Sequence, residues 1–316
     1  MKPSVPPHTT MPLSSTRSEL LKKRLDQFTR VLTLVEQGDV RGLHRARVAS
    51  RRLRELLPML QLDADKARKL GRRLKKVTTR LGTVRELDVL LLLVDEQHVS
   101  GRSRSSALGR VGISVAKDRD DARKRLSTRL PIAGMRRLAE KLDRVTGQLR
   151  LAEGASSRAA ARHWRLAVDG QVASRAVRLS AAMADAGAMY LPERLHTVRI
   201  AMKKLRYALE LAAEISGTKQ HRAGLTTLKR GQDLLGRLHD LQVLIERVRQ
   251  VQASLTPPNL TVWRDLDALG LSLENECRLL HGRYMRSREG LVALTDKLAA
   301  GPHGGLAPRG QARRAG

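Results

Sequence analysis

Cysteine, aromatic residues and long apolar runs are scarce in this 316-residue chain. The single cysteine, Cys277, excludes a disulfide framework and a cysteine-based zinc site. The most apolar run, residues 89–94, is far too short to span a bilayer. The first residues, MKPSVPPHTTMPLSS, lack the apolar core of a secretory signal. We therefore expect a soluble, cytoplasmic protein without a membrane partner.

Strand-forming residues are also few, and this shortage determines the predicted fold class. Aromatic residues make up 2% of the chain, and the apolar 41% consists mostly of Leu, Ala and Val. Leu, Ala, Arg, Glu and Gln are strong helix formers, whereas β-branched and aromatic residues favour strands. The composition predicts an all-α protein with roughly eight or nine helices joined by short turns.

Acidic residues are outnumbered: 61 Lys and Arg face 31 Asp and Glu, which gives a net charge of +30. A surplus of this size informs about partners rather than about fold, and it exceeds what solubility requires. Nucleic acid, anionic membranes and polyphosphate are the polyanions that a cell offers in quantity. The charge therefore predicts a polyanionic partner.

A basic segment occurs twice in the chain. Residues 43–54, LHRARVASRRLR, correspond to residues 195–206, LHTVRIAMKKLR, and neither copy contains an acidic residue. Residues 81–90, LGTVRELDVL, correspond in the same way to residues 235–244, LGRLHDLQVL. The two landmarks keep their order and nearly their spacing. We infer an internal duplication with a pseudo-two-fold arrangement rather than a solenoid, which would need three or more units.

The duplication divides the chain into two halves, each of which we expect to form a four-helix bundle. The first half covers about residues 15–150 and the second about residues 156–298. Residues 1–14 are rich in Pro, Ser and Thr, and residues 299–316 mix Gly, Pro and Arg. We expect these ends to form a disordered N-terminal tail and a flexible basic C-terminal tail.

Both basic segments have helical periodicity. An inward apolar stripe steps by three and four through Leu43, Ala46, Ser50, Leu53, Leu57 and Leu60, and again through Leu195, Val198, Met202, Leu205 and Leu209. A basic flank follows one position later, about 100° around each helix, at the edge of the core face. It consists of His44, Arg47, Arg51 and Arg54, and of His196, Arg199, Lys203 and Arg206.

A basic helix flank is ordinarily a solvated surface. Charged flanks usually mix signs for pairing between successive turns, but both segments lack carboxylates. A third acid-free run, residues 66–85, holds nine cations. Like charges at this density repel each other, and a bound polyanion would remove that cost. We therefore interpret the two flanks as one binding site.

Two histidines and four residues of the second landmark allow more than one interpretation. His44 and His196 are either packed, hydrogen-bonded residues or phosphate contacts. Neighbouring arginines would lower the pKa of an imidazole, and the neutral ring could still donate one hydrogen bond. Neither histidine has the spacing of a metal site, so no metal is expected. Arg85, Glu86, Asp88 and Asp240 are interpreted as ion-pair residues that orient nearby cations, and a catalytic carboxylate pair is the alternative.

The four segments together resemble the CHAD family, the conserved histidine α-helical domain. The resemblance is carried by LHRARVASRRLR with LGTVRELDVL and by LHTVRIAMKKLRY with LLGRLHDLQVL, and it covers roughly residues 15–298. It implies two four-helix bundles with internal pseudo-symmetry and a basic central groove or pore. It also implies binding of inorganic polyphosphate and association with polyphosphate granules.

Position by position, the resemblance implicates cations of both basic segments and of the helices that follow them. The implied polyphosphate contacts are His44, Arg47, Arg51, Arg52, Arg54, Lys75 and Lys76, and His196, Arg199, Lys203, Lys204, Arg206, Lys229 and Arg230. The chain departs from the family pattern at two positions. Glu86 stands where Asp is common, and His239 stands where the first copy has Arg85.

The sequence thus predicts binding of polyphosphate without catalysis and without a cofactor. CHAD domains often follow a triphosphatase domain with an ExExK strand, but the nearest segment here, residues 274–278, ends in Arg and lies in a helical region. Non-specific nucleic-acid binding is the alternative. Single-strand binders use stacking aromatics, and only Tyr207 borders an acid-free segment.

Overall fold

The computed structural model describes residues 16–99, 105–155, 158–216, 219–255 and 259–301. These residues form ten α-helices, one short 3-10 helix and no strand, so the predicted all-α fold is confirmed. The helices are α1 (Arg17–Thr29), α2 (Leu32–Glu36), α3 (Val40–Leu56), α4 (Ala64–Val99), α5 (Ser105–Arg129), α6 (Ile132–Gly154), α7 (Arg158–Ala186), α8 (Pro192–Ser216), α9 (Lys219–Ala253) and α10 (Leu260–Ala299). The predicted N-terminal tail and residues 302–316 of the C-terminal tail lie outside the described residues.

Helix α3, which carries the first basic segment, begins at a side-chain cap. The Asp39 carboxylate accepts a hydrogen bond from the backbone N–H of Gly42 and so satisfies one donor of the first turn. A Cβ at Gly42 would lie 2.5 Å from the Cβ of Leu34, so the close approach of α2 to α3 requires glycine. The cap and this contact fix where α3 begins and therefore which residues face the core.

The predicted inward stripe is confirmed at every position. Its residues are buried from Leu43 to Leu60 in the first copy and from Leu195 to Leu209 in the second. Its one polar member, Ser50, is fully buried, and its hydroxyl shares a 3.0 Å hydrogen bond with that of Thr78 in α4. Because Leu53 is completely buried, its truncation to Ala would cost about 2–5 kcal/mol. Because the stripe is buried, it fixes the rotation of α3 and of α8 about their own axes.

Two sets of four helices pack as closed rings. Helices α7, α8, α9 and α10 form one ring, and α1, α3, α4 and α6 form the other, with α2 against α3 and α6. Helix α5 belongs to neither ring, because it packs along α4 and also contacts α9 and α10. The first half therefore contributes a fifth long helix that bridges to the second half. The internal pseudo-symmetry and the boundary between the halves stay predictions.

The two rings meet through equivalent helices: α3 contacts α8, and α4 contacts α9. A salt bridge of 2.6 Å between Arg237 of α9 and Glu96 of α4 strengthens this junction. The Nε1 of Trp164 also donates a 2.7 Å hydrogen bond to the carbonyl of Met59. This packing brings the two basic segments side by side.

Candidate anion-binding site

The basic flanks of α3 and α8 converge in the structure. Burial lowers the pKa of Lys203 in α8 to about 7, and the charge of the neighbouring Arg199 adds to this effect. Arg51 and Arg47 of α3 lower the same pKa further, which places cations of both helices within electrostatic reach of each other. Burial also lowers the pKa of Arg199, and Arg51 again contributes from the opposite helix. We call Arg47, Arg51, Arg199 and Lys203 the cationic cluster.

The cationic cluster is not neutralised by carboxylates. Within the described part of the chain, none of its four residues forms a salt bridge. The Nε atoms of Arg47 and Arg199 are buried and find no hydrogen-bond partner there. An unpartnered buried donor costs about 1–3 kcal/mol, and more when it carries charge. The arrangement therefore leaves the positive charge of the cluster available to an anion.

Two carboxylates act on the cationic cluster at longer range. Glu86 of α4 raises the pKa values of Arg47 and Arg199, against the larger lowering effect of burial. Asp240 of α9 likewise raises the pKa values of Arg199 and Lys203, although burial dominates both. Burial raises the pKa of Asp240 itself, and Arg199 lowers it. These carboxylates lie on two different helices and act on the cations without forming a salt bridge with them among the described residues.

The other two predicted ion-pair residues behave differently. The carboxylate of Asp88 is buried and lies 3.7 Å from the Arg123 guanidinium of α5, so it forms the expected salt bridge. Burial raises the pKa of Asp88, and Arg123 lowers it. Arg85 has no carboxylate partner among the described residues; its Nε donates a 3.1 Å hydrogen bond to the Nδ1 of His44.

The hydrogen bond from Arg85 determines which ring nitrogen of neutral His44 carries the proton. Because Nδ1 accepts a hydrogen bond, the proton of the neutral ring resides on Nε2, which is left as a donor. Partial burial lowers the pKa of His44, and the charges of Arg85 and Arg47 lower it further. The direction agrees with the expected effect of the arginines, but burial contributes more to the lowered pKa than they do.

His196 has an equivalent neighbour in the second copy. Its ring centroid lies 4.9 Å from that of His239, the residue that stands in place of Arg85. Burial lowers the pKa of His239 to about 4, and Arg199 and His196 contribute. Burial and Arg199 also lower the pKa of His196. Both rings are therefore neutral at pH 7, and they border the cationic cluster without adding to its charge.

A cavity of about 400 Å³ opens on the other side of the His196–His239 pair, between α8, α9 and α10. The carboxylates of Glu193, Glu246 and Glu274 line it. Arg249 and Arg278 also line this cavity and both pair with Glu274, so its lining carries charges of both signs, unlike the cationic cluster.

Three of the implied polyphosphate contacts are neutralised by carboxylates. Arg52 of α3 and Arg206 of α8 share the carboxylate of Glu210, at 3.3 and 3.6 Å respectively. Arg54 pairs with Glu55 at 3.0 Å, and the same carboxylate lies 3.3 Å from Arg175. The acid-free segments are thus balanced by carboxylates beyond their ends. These paired arginines follow the cationic cluster toward the C-terminal ends of α3 and α8.

The remaining implied contacts are not brought to the cationic cluster by any described interaction. Lys75 and Lys76 are exposed on α4, Lys204 is exposed on α8, and Lys229 and Arg230 are exposed on α9. The backbone carbonyl of Lys204 accepts a 2.7 Å hydrogen bond from Arg175, and this contact does not involve the ammonium group. The structure therefore separates a half-buried centre from an exposed basic surface.

Two residues that shape this centre, Gly82 and Glu210, are not evident as site residues from the sequence. Gly82 of α4 lies against Arg47, where a Cβ would meet the Arg47 Nε at 3.3 Å. A glycine inside a long predicted helix is the signal that could have indicated this close approach. Glu210 also escaped notice, because it follows the second basic segment by one turn and its pairing with Arg52 depends on tertiary packing.

Comparisons with known proteins agree with this architecture. A family model described as the CHAD domain matches residues 19–249. The crystal structure of the CHAD domain from the plant Ricinus communis is similar, with a TM-score of 0.61 and 24% identity over 95% of this chain and 97% of that chain. PptA from Streptomyces chartreusis has a TM-score of 0.54 and 18% identity, covering 89% of this chain and 97% of its own.

These two structures show a shared fold, and no curated protein matches the sequence. In the described residues, no helix is both long and apolar enough to cross a membrane. The family model spans more than two thirds of the chain and contains both basic segments. The chain belongs to the CHAD domain family.

Proposed function

We propose that this protein binds inorganic polyphosphate, without cleaving it, at the cationic cluster shared by α3 and α8. Membership of the CHAD family supports a polyphosphate-related role in general terms. The observation that carries the specific proposal is that cations of two adjacent helices, α3 and α8, act on one another electrostatically and form no salt bridge within the described part of the chain. Arg47, Arg51, Arg199 and Lys203 thus form a centre of positive charge on which Glu86 and Asp240 act only without a salt bridge.

Phosphate oxygens suit this centre physically. Arginine presents planar donors that bind phosphate oxygens in pairs, and lysine provides a mobile point charge. A polyphosphate chain carries about one negative charge per phosphoryl group, so it offsets the repulsion among the cations as it binds. By analogy with nucleic acids, release of condensed counterions makes binding fall steeply with salt.

Binding would also be coupled to protonation of Lys203. The pKa of this amine is about 7 because of burial and the nearby Arg199. A phosphate chain beside it would raise that pKa, so binding above pH 7 takes up a proton. Affinity should therefore fall as pH rises above 7, through the range in which free Lys203 is neutral.

The proposed absence of catalysis is supported by the described residues, in which no group of three or more His, Cys, Asp or Glu side chains could hold a metal ion. Cleavage of a phosphoanhydride bond with Mg²⁺ needs carboxylates that converge on the metal. Glu86 and Asp240 lie on separate helices and act on cations of the cluster. Incubation of polyphosphate with the protein and Mg²⁺ should release no phosphate, and phosphate release that scales with protein concentration would contradict this part of the proposal.

The direct test replaces the whole cationic cluster. The variant Arg47→Glu, Arg51→Glu, Arg199→Glu, Lys203→Glu should keep its helicity by circular dichroism and lose measurable affinity for polyphosphate in a calorimetric titration. A control with the same change of charge replaces four exposed cations of α6 by Glu: Arg137, Lys141, Arg144 and Arg150. The control should lose only a modest part of the affinity. Equal affinity of the parent and the cluster variant would disprove the site.

Competition distinguishes polyphosphate from nucleic acid. The cationic cluster is small and half-buried, and Tyr207 is the only aromatic residue that borders the basic segments. Stacking of unpaired bases therefore has little support in the site. Polyphosphate should displace single-stranded RNA at equal phosphate concentration, and displacement in the opposite direction would favour a nucleic-acid-binding protein.

A fluorescent fusion that coincides with stained polyphosphate granules would support granule association in the cell.

A further inference from the structure

A second basic surface lies on α4, apart from the cationic cluster. We call it the α4 row, and it consists of Lys69, Arg72, Arg73, Lys75, Lys76 and Arg80. All but Arg80 are exposed, and within the described part of the chain none of the six forms a salt bridge. From the first to the last, the row extends about 16 Å along the helix axis. It is a surface of one charge sign without a carboxylate to balance it.

The internal repeat provides a comparison for this row. The aligned positions of α9, 154 residues later, keep only Lys229 and Arg230 as cations. At the positions that match Lys69, Arg72, Arg73 and Arg80, the second copy has Ala223, Thr226, Thr227 and Leu234. Most of the charge of the α4 row is therefore specific to the first half, and the packing that both copies share does not require it.

One residue of the α4 row, Lys75, lies on the side of α4 that faces the cationic cluster. Gly82 contacts Arg47, as described above, and Lys75 precedes Gly82 by seven residues. Residues seven apart lie on the same face of a helix, two turns from each other. Lys75 therefore lies on the side of α4 that faces the cluster. A chain that leaves the cluster along this side of α4 would meet Lys75 first and the rest of the row afterwards.

We infer that the α4 row is a second contact surface for the same polyanion, which engages long polyphosphate chains whose other segment occupies the cationic cluster. This inference rests on the proposed function. A short chain such as tripolyphosphate fills the cluster alone, whereas a long chain contacts both surfaces at once. The second contact is then intramolecular, and its high effective concentration increases the overall affinity. The protein would thus select for chain length.

Polyphosphate fits the row better than nucleic acid does. Helix α4 contains no aromatic residue on which a base could stack. The row presents only Lys, Arg and Thr79 to solvent, which suits a chain of phosphates without bases. Its position beside the cluster explains why cations on an exposed helix are not paired with carboxylates in the manner usual for solvated helix surfaces.

The test compares two chain lengths on three proteins. The row variant is Lys69→Gln, Arg72→Gln, Arg73→Gln, Lys76→Gln, which keeps Lys75 and uses a residue that favours helices. Its control carries Gln at Arg137, Lys141, Arg144 and Arg150 on the exposed face of α6. The parent and both variants are titrated with tripolyphosphate, with chains of about 100 phosphates and with single-stranded RNA, at several salt concentrations around about 150 mM. Circular dichroism verifies the fold.

We expect the row variant to lose about tenfold in affinity for long chains, with a log–log salt slope reduced by up to about 3. Its affinity for tripolyphosphate should equal that of the control. Long-chain affinity equal to that of the control would overturn the inference, and so would equal losses for both lengths. A loss of affinity for single-stranded RNA alone would identify a nucleic-acid surface instead. Failure of the parent to bind tripolyphosphate or long chains would instead disprove the proposed function.

Discussion

Replacement of Lys203 by methionine should stabilise the fold near pH 7. Methionine resembles lysine in shape but carries no charge, so the substitution removes a cation from among Arg47, Arg51 and Arg199 while it keeps most of the packing. In the folded protein the pKa of Lys203 is about 7, whereas the unfolded chain has the ordinary value of 10.5. Folding therefore destabilises the protonated amine.

The magnitude follows from this difference in pKa. At pH 7 the lowered pKa of Lys203 reduces the free energy of unfolding by at most about 4 kcal/mol. Solvent screening of the partly exposed side chain reduces the expected gain in the Lys203→Met variant to about 1–2 kcal/mol. Between pH 7 and 10.5 the unfolded chain binds more protons, so the contribution of Lys203 makes the parent more stable as pH rises. The Lys203→Met variant lacks this increase.

Urea unfolding at several pH values between about 6 and 10 measures this effect. The control is Lys204→Met, which removes an exposed charge from the next position and should change stability by less than about 0.5 kcal/mol. A Lys203→Met variant that is less stable than the parent at pH 7, or that keeps the same rise toward pH 10, would refute the reasoning. The same variant should bind polyphosphate less tightly and with weaker dependence on pH.

Two further substitutions test neighbours of the cationic cluster. Gly82→Ala should displace the Arg47 guanidinium and weaken polyphosphate binding by about threefold, while Gly71→Ala, in open space on the same helix, should not; equal affinities would contradict this contact. Glu210→Gln should release the two arginines that share its carboxylate, which raises polyphosphate affinity by about threefold and lowers stability by about 1 kcal/mol. A titration that shows no gain in affinity would mean that those arginines do not reach the ligand.

Helical periodicity explains why much of the centre could be predicted from the sequence. Steps of three and four residues place Leu43 and Leu53 in the core, and the same geometry places Arg47 and Arg51 one position later, at its edge. The duplication then assigned Arg199 and Lys203 to an equivalent flank. Local spacing carries this information because the rotation of a helix follows from its buried stripe.

Tertiary packing decided the features that the sequence did not reveal. Arg52 lies in an acid-free segment, yet it is neutralised by Glu210 from another helix. The hydrogen bond from Arg85 to His44 likewise depends on how α4 packs against α3, and 41 residues separate the partners along the chain. The contacts of α5 with α9 and α10 likewise depend on how the two halves pack. A single sequence does not record such contacts between distant segments.

Binding stoichiometry tests the central claim that α3 and α8 form one site. Tripolyphosphate is titrated into the parent, into Arg47→Glu, Arg51→Glu and into Arg199→Glu, Lys203→Glu, with heat as the signal. A shared site predicts one bound chain per parent molecule and loss of most affinity in either double variant, because each removes half of the same centre. Two bound chains per parent, or one retained chain of undiminished affinity in each double variant, would contradict the account.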